Sequence, residues 1–535
     1  MSPCATATVN GQTDQVILSS DVLIVGSGPI GAVYARSLIN ADQNIKVHMV
    51  EMGEQETPRI GDHKKNNVVA QRGLHRFSNT VKGALGLLSE PDILPTHLMG
   101  FQPSDVAAGV EPYNNLPAAP VVRGVGGMGS YWSCSTPEMC PGIERPDLFT
   151  DQEWQDLYKE AKALFGTTDT AFDDSVRHNI VKRALAQAHK DREFVNLPLA
   201  CERSPFNPGY VQWTGSARIL GELADPNYCG VNFALKARLC CRKLLIDETT
   251  RQVTGAELID LYTNEVVMAK ARIYVICAGA ILTNGILFNS GIRPETGYNA
   301  VGHYLTEQTM AVCQVMLKNN LIESAWNDPR CMEHYERFPD DLLRIPFNDP
   351  SPQVTSPVSD KYPWHTQIQR DPFDYNKVST LIDPRLIIDI RFFGYVEPVY
   401  DNYVTFEEGN HDPFGMPQPL IRYRVGEEGR SRQQAMMDDM INIARSLGDF
   451  LPGGEPRLLA PGAATHICGT TRAGAKDDGR SVVDKNSKVW RLENLFIGGC
   501  GVIPTQNACN PTLTAACFAI VGARKIVQEL NHIKC

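Results

Sequence analysis

The first dense run of apolar residues is Asp21-Val-Leu-Ile-Val25, whose β-branched content predicts a buried strand. It runs straight into Gly26-Ser-Gly28-Pro-Ile-Gly31, and Pro29 marks a helix start because its fixed φ suits the first turn. Lys46-Val-His-Met-Val50 predicts a second strand that ends at Glu51. The same grammar returns late in the chain. Arg272-Ile-Tyr-Val-Ile-Cys277 predicts a strand, followed by Ala278-Gly279-Ala280 and a helix to about residue 288. Asn494-Leu-Phe-Ile-Gly498-Gly-Cys-Gly501 predicts another, followed by Asn510-Pro511 and a helix over 512–530. Between these blocks the periodicity predicts helices over 153–165, 175–191 and 430–447, and antiparallel strands over 386–393, 403–406 and 420–425. Residues 320–375 hold Pro, Asp, Trp and His with little periodicity and read as irregular, functional loop.

The expected fold class is α/β with an α+β second part. A Rossmann-like nucleotide domain over 17–75, 121–140, 230–305 and 455–535 is interleaved with a second domain over 76–120, 141–229 and 306–454. At 535 residues, with 43% hydrophobic and 21% charged content, the chain has the make-up of a globular protein with a large core. A net charge of −10 disfavours nucleic acid and anionic membranes as partners. Apolar runs stay short of the roughly 18 to 20 residues that span a bilayer. The first twenty residues lack a basic and an apolar region, so a secretory signal is not expected. Fifteen cysteines without a CxxC pair argue against zinc or iron–sulfur ligation, and with no Asn-x-Ser/Thr sequon they fit a cytoplasmic setting.

Gly26 suits a tight turn, Gly28 lets backbone approach a pyrophosphate, and Gly31 lets the helix pack on its strand. The helix N-terminus offers free N–H groups to phosphates, and Glu51 stands where a carboxylate meets ribose hydroxyls, which disfavours NADP. A nucleotide fold completed by the last sixty residues points to a flavoprotein more than to a nicotinamide dehydrogenase. The loop Arg123-Gly-Val-Gly126-Gly127-Met128-Gly-Ser-Tyr131-Trp132 can lay backbone against a flat ring or a phosphate. Tyr131 is expected to pack on the flavin, with Ser133 near its N5. Gly501, Asn510, Pro511 and Thr512 open the tail helix toward the cofactor, Asn510 as N-cap and Pro511 as first helical residue. His466 sits in a small, apolar stretch and is a candidate base. In residues 362–375, aromatics interleave with amide, acid and base groups. That mixture suits a sugar, which presents both C–H faces and hydroxyls. Gln367, Asp371, Phe373 and Tyr375 are the candidates there.

Taken together, these residues resemble the glucose–methanol–choline (GMC) oxidoreductase family, and within it the pyranose 2-oxidase branch. The resemblance also covers His63-Lys-Lys-Asn66, Val125-Gly-Gly-Met128, Gly302 to Gln308, Met416-Pro-Gln-Pro419 and 494–515. It implies FAD as cofactor and a sugar or glycoside as substrate, oxidised at a secondary ring hydroxyl (C2 or C3) by proton removal and hydride transfer to flavin N5. The active-site pair carries onto His466 and Asn510. The alternatives are a non-redox lyase that keeps FAD, and a pathway-specific dehydrogenase on a non-sugar alcohol. The branch links flavin to a His in a Thr-His-Trp triplet; here the triplet is Ser130-Tyr131-Trp132, so FAD is expected to bind noncovalently. The sequence leaves the electron acceptor, O2 or a quinone, and the oligomeric state open.

Overall fold

The computed structural model describes residues 17–67, 69, 77–78, 80–81, 84–88, 116–204, 210–228, 232–370 and 381–534. Two sheets organise them. In the first, Leu495–Ile497, Val266–Ile276, Ile17–Val25, Val47–Val50 and Phe233–Lys236 pair in parallel, in that order. The stretches Val22–Val25 and Ile273–Ile276 at the centre of this sheet consist of buried hydrophobic residues, as a parallel sheet covered on both faces requires. An antiparallel hairpin, Leu239–Asp247 and Gln252–Asp260, extends it from the first half of Val266–Ile276. The strand nearest the C-terminus thus docks beside one that precedes it by some 220 residues in the chain, while the helices Pro29–Ala41 and Thr512–Lys534 lie close together.

The second sheet is antiparallel, in the order Gly448–Phe450, Thr309–Leu317, Ile387–Gly394, Trp364–Gln369, Gln353–Thr355 and Val195–Asn196, with Arg457–Leu458 also paired to Thr309–Leu317. Its faces differ because side chains alternate along a strand. Ala311, Cys313, Val315, Ile388, Ile390, Phe392 and Ile368 pack on one face against the helices Val176–Ala188 and Glu427–Leu447. The other face carries His365, Gln367 and Gln369 beside Phe393, Arg391 and Asp389, in three rows set by the register. The first-sheet core is separate and contains both nucleotide-type helices.

One expectation needs correction. Residues 362–370 are not irregular loop: Trp364–Gln369 is an interior strand with every residue buried. Its alternation of Trp, Thr and Ile with His, Gln and Gln is a period-two pattern hidden by a high polar content. A helix, Pro329–Arg337, and the strand Gln353–Thr355 also fall in the stretch expected to be loop. Among the described residues no helix is long and apolar enough to cross a membrane.

Candidate active site

The glycines of the first turn sit where the chain leaves no alternative. Gly26 has φ +104°, and a Cβ there would lie 2.4 Å from the Cys277 carbonyl oxygen. A Cβ on Gly31 would lie 2.1 Å from the Gly26 carbonyl oxygen. Gly28 differs. It caps the helix Pro29–Ala41 at φ −60°, no side chain caps that end, and a Cβ there would meet no described atom within 4 Å. The free N–H groups of this helix end therefore face open space, as a bound diphosphate needs.

Glu51 is buried, and its carboxylate accepts from Ser27 N and Oγ (3.1 and 2.7 Å) and from Gly53 N (3.1 Å). Burial raises its pKa, and these hydrogen bonds oppose the rise. Ser27 Oγ in turn accepts from Gly126 N at 2.9 Å, which ties the glycine-rich loop to the first turn. A cleft opens beside this turn and the glycine-rich loop. Glu51, Cys240, Arg123, Met128, Trp132 and Thr512 are among the residues that line it. Gly127 and Cys500 also line it, and Arg123 pairs with Asp412 at 3.4 Å. The open helix end, the glycine cradle and the buried acid fit a dinucleotide cofactor. Gly126, Gly501 and Ser133 stand behind this lining: Gly501 packs on Thr470 and Thr471, and Ser133 Oγ lies 3.4 Å from Ser135 Oγ. Tyr131 turns away from the cleft lining into a small core with Phe77 and Val81, its hydroxyl 3.4 Å from Glu56. Burial pushes its phenol up to about 12.

Thr465 and Thr512 lie close in the chain to His466 and Asn510, which meet beyond the cleft. His466 Nε2 is 2.9 Å from Asn510 Nδ2, and His466 Nδ1 is 2.6 Å from Gln308 Oε1. Gln367 Nε2 donates to Asn510 Oδ1 at 2.7 Å, so the NH2 group of Asn510 faces the imidazole. Nε2 is therefore the acceptor and Nδ1 carries the proton. Burial, then the charge of Arg391 and the neighbouring His365, hold this imidazole far down, at about 3. Thr465 has φ +61°, a strained value for a β-branched residue, immediately before the histidine.

The tail helix begins at Thr512. The Pro511 carbonyl accepts from Ala515 N at 2.9 Å, so Pro511 takes the N-cap place. Asn510 is not the cap; its side chain is drawn off to His466 and Gln367 instead. Asp371, Phe373 and Tyr375 lie outside the described residues.

Several site residues escaped sequence reasoning. Arg391 donates to Gln367 Oε1 at 2.7 Å, and Gln367 Nε2 is also within 3.1 Å of His365 Nε2. Glu144 accepts from Ala508 N and Cys509 N and so anchors the turn before Asn510. Glu307 receives His466 N at 3.1 and 3.2 Å. The usable signal was the i, i+2 spacing of His365, Gln367 and Gln369, and of Asp389 and Arg391, in otherwise apolar strands.

The arrangement can take a proton at one nitrogen and hold a hydroxyl oxygen with an amide, next to a cleft shaped for a dinucleotide. A family model for GMC oxidoreductase matches residues 398–519. Pyranose 2-oxidase of Emericella nidulans is 39% identical, covering 96% of this chain and 92% of that protein. C-glycoside 3-oxidase of Arthrobacter globiformis is 30% identical, covering 96% and 95%. Among solved structures, pyridoxine 4-oxidase from Mesorbium loti superposes with a TM-score of 0.64 at 16% identity, over 95% of this chain and 99% of that one, a likeness of fold.

Proposed function

The chain belongs to the GMC oxidoreductase family, in its pyranose 2-oxidase-like branch, and from this premise we propose that it oxidises a ring hydroxyl at C2 or C3 of a pyranose or glycoside to the ketone. GMC oxidoreductases are FAD flavoproteins, and bound FAD supplies the acceptor for the hydride that leaves the carbinol carbon. The helix end at Gly28 and the nearby Gly127 would hold its diphosphate, Glu51 a ribose, and Met128, Trp132 and Thr512 would border its ring.

The protein's own part is proton handling and orientation. His466 Nε2 accepts the hydroxyl proton, because a neutral imidazole keeps an accepting lone pair at every ordinary pH. Asn510 Nδ2, which now donates to that nitrogen, can donate to the substrate oxygen instead and hold it within reach of Nε2. The polar face of the second sheet supplies Gln367, which holds Asn510 and is itself held by Arg391, and Phe393 packs beside the pair with its ring 5.6 Å from that of His466. The observation that carries this reading is the His466–Asn510 pair, with Nε2 as the acceptor.

FAD binds without a covalent link in this reading: the residue in the position of the family's linking histidine is Tyr131, and a phenol raised to about 12 is a poor nucleophile. Reoxidation by O2 or a quinone belongs to the same reading, as does a cytoplasmic setting, where the described cysteines stay as thiols. The test is anaerobic addition of monosaccharides and C-glycosides while the flavin absorbance is followed. Bleaching by at least one sugar is expected. Retained absorbance with every sugar would overturn the proposal, and bleaching by non-sugar alcohols alone would move it to another substrate class.

A further inference from the structure

We propose that Gln308 is a positioning residue for the base: its carboxamide decides which nitrogen of His466 carries the proton and fixes Asn510 beside that ring. The inference rests on the reading of His466 as the base. Gln308 is buried, and its two amide atoms have one partner each that matters here: Oε1 lies 2.6 Å from His466 Nδ1, and Nε2 donates to the Cys509 carbonyl at 2.8 Å. A carbonyl can only accept, so the group facing Cys509 must be the NH2. That leaves the oxygen facing Nδ1, which must then bear the proton, and Nε2 is left with its lone pair, which accepts from Asn510 Nδ2. The Gln367–Asn510 bond reaches the same assignment independently, from the opposite side of the ring.

One side chain thus spans the two catalytic residues, since Cys509 immediately precedes Asn510 in the chain. The backbone contributes from the same segment: Thr306 and Cys468 exchange hydrogen bonds at 3.0 and 2.8 Å, and the Glu307 carboxyl receives His466 N. Successive side chains of an extended segment point opposite ways, so Glu307 serves the backbone of residue 466 while Gln308 serves its ring. The chemical point is that the partner of Nδ1 is neutral. A carboxylate there would attract an imidazolium and raise its pKa, whereas a carboxamide orients the ring without charging it. The other charged and titratable groups around the ring are Arg391 and His365 on the sheet face, Glu307 beneath the backbone, Cys468 on the histidine's own loop and Cys509 on the Asn510 loop.

Two substitutions test this. Gln308→Met keeps the length and removes both contacts. Flavin reduction by a sugar should slow by at least about 10², the low end of what a misplaced general base costs, with half-saturating sugar concentration and flavin content at the wild-type level. Gln308→Glu is the sharper variant. When protonated, its carboxyl reproduces both contacts, O–H to the Cys509 carbonyl and C=O to Nδ1–H. When ionised, it loses the first and puts a charge on the second. Its reduction rate should therefore show an ionisation that the wild type lacks. The pH midpoint for carbethoxylation of His466 by diethyl pyrocarbonate, read by peptide mass, should move upward. Near-normal reduction by Gln308→Met would overturn the proposal. So would a Gln308→Glu protein whose pH profile and carbethoxylation superimpose on the wild type's, and that comparison decides alone if Gln308→Met does not fold. His466→Ala separates the two ideas: normal reduction by that variant removes the base itself, while an inactive His466→Ala beside a fully active Gln308→Met removes only the role of Gln308.

Discussion

Gln367 Nε2 donates to Asn510 Oδ1 at 2.7 Å, and this bond crosses from the antiparallel sheet to the segment that enters the tail helix. It turns the NH2 of Asn510 toward His466, so a sheet residue orients the asparagine of the proposed active pair. With its own oxygen taken by Arg391, Gln367 is occupied by protein on both sides. Gln367→Leu should slow flavin reduction by on the order of 10², as loss of one fixed polar contact at a reacting centre does. Gln367→Glu should be slower still despite its shape. A carboxylate would repel Asn510 Oδ1, draw Nδ2 toward itself and turn the asparagine oxygen onto the lone pair of His466. Stopped-flow reduction of the two variants checks this, and a Gln367→Glu rate at or above that of Gln367→Leu contradicts it.

The low pKa of His466 has a kinetic signature. The active form of a base is the deprotonated one, present above its pKa. With that value at about 3, the rate of flavin reduction should lack an acid limb attributable to His466 between pH 5 and 8. An inflection near the ordinary imidazole value of about 6.5 would show that the ring is not held neutral. The same sign governs stability. His63, His365 and His466 each sit at about 3 in the fold, so the stability they lend is present above their unfolded value and is lost as pH falls from about 6.5 toward 3.

Glu307 works in the opposite sense. Burial pushes its carboxyl up to about 8, so its contribution is fully present below the unfolded carboxylate value and is lost as pH rises through 8. Above about pH 7.5, one unit past their unfolded value, the three histidines are nearly all neutral in both states and contribute little to the slope. In that window the melting temperature of the wild type should fall with rising pH, and Glu307→Gln, which keeps an acceptor but cannot ionise, should fall less. Parallel melting curves for the two proteins from about pH 7.5 to 9 would exclude a buried, ionising Glu307.

How far the sequence could be read depends on which forces wrote each part. The nucleotide half was legible because its constraints are local: a β-branched strand, a turn that only glycine fits at Gly26, and an acid at the end of the next strand. The antiparallel half was partly legible. The strands over 386–393 and 420–425 alternate visibly, but Trp364–Gln369 carries polar side chains on one face and reads locally as a loop. Its burial comes from neighbours distant in the chain, which no local pattern reports. His466 and Asn510 stood out beside the tail helix. Their partners Gln308 and Gln367, and Glu144, which holds the turn before Asn510, come from three separate segments and meet only in the fold. The reading of Asn510 as a helix cap erred because tertiary hydrogen bonds outweighed a local preference.

Tyr131 gives a test of cofactor attachment. The phenol is buried among Phe77 and Val81, faces an acid, Glu56, and is raised to about 12, all of which work against a phenolate nucleophile. Acid or heat denaturation should therefore release all yellow colour to the supernatant. A flavin-mass adduct on the peptide that contains Tyr131 would be the opposite result, and Tyr131→Phe should then abolish it.

The three glycines of the first turn separate what the fold needs from what the ligand needs. Gly26 adopts φ +104°, and its Cβ would collide with the Cys277 carbonyl at 2.4 Å. Gly31 would place a Cβ 2.1 Å from the Gly26 carbonyl, where only backbone could yield. Gly26→Ala and Gly31→Ala should thus destabilise the protein itself, by several kcal/mol, as overpacking and forbidden backbone geometry together do. Gly28 has ordinary helix-entry angles, φ −60° and ψ 176°, and a Cβ there meets no described protein atom within 4 Å. Alanine should fit that backbone without strain, so the apoprotein of Gly28→Ala should melt at or slightly above the wild-type temperature. The methyl group would instead stand in front of the helix N-terminus, in the space that a diphosphate must enter to reach the free N–H groups. Flavin content after purification should drop sharply in Gly28→Ala, and added FAD should raise its melting temperature much less than it raises that of wild-type apoprotein. A Gly28→Ala protein that carries full flavin would show that the diphosphate lies elsewhere along the cleft, and a poorly folded one would show that Gly28 answers to packing after all.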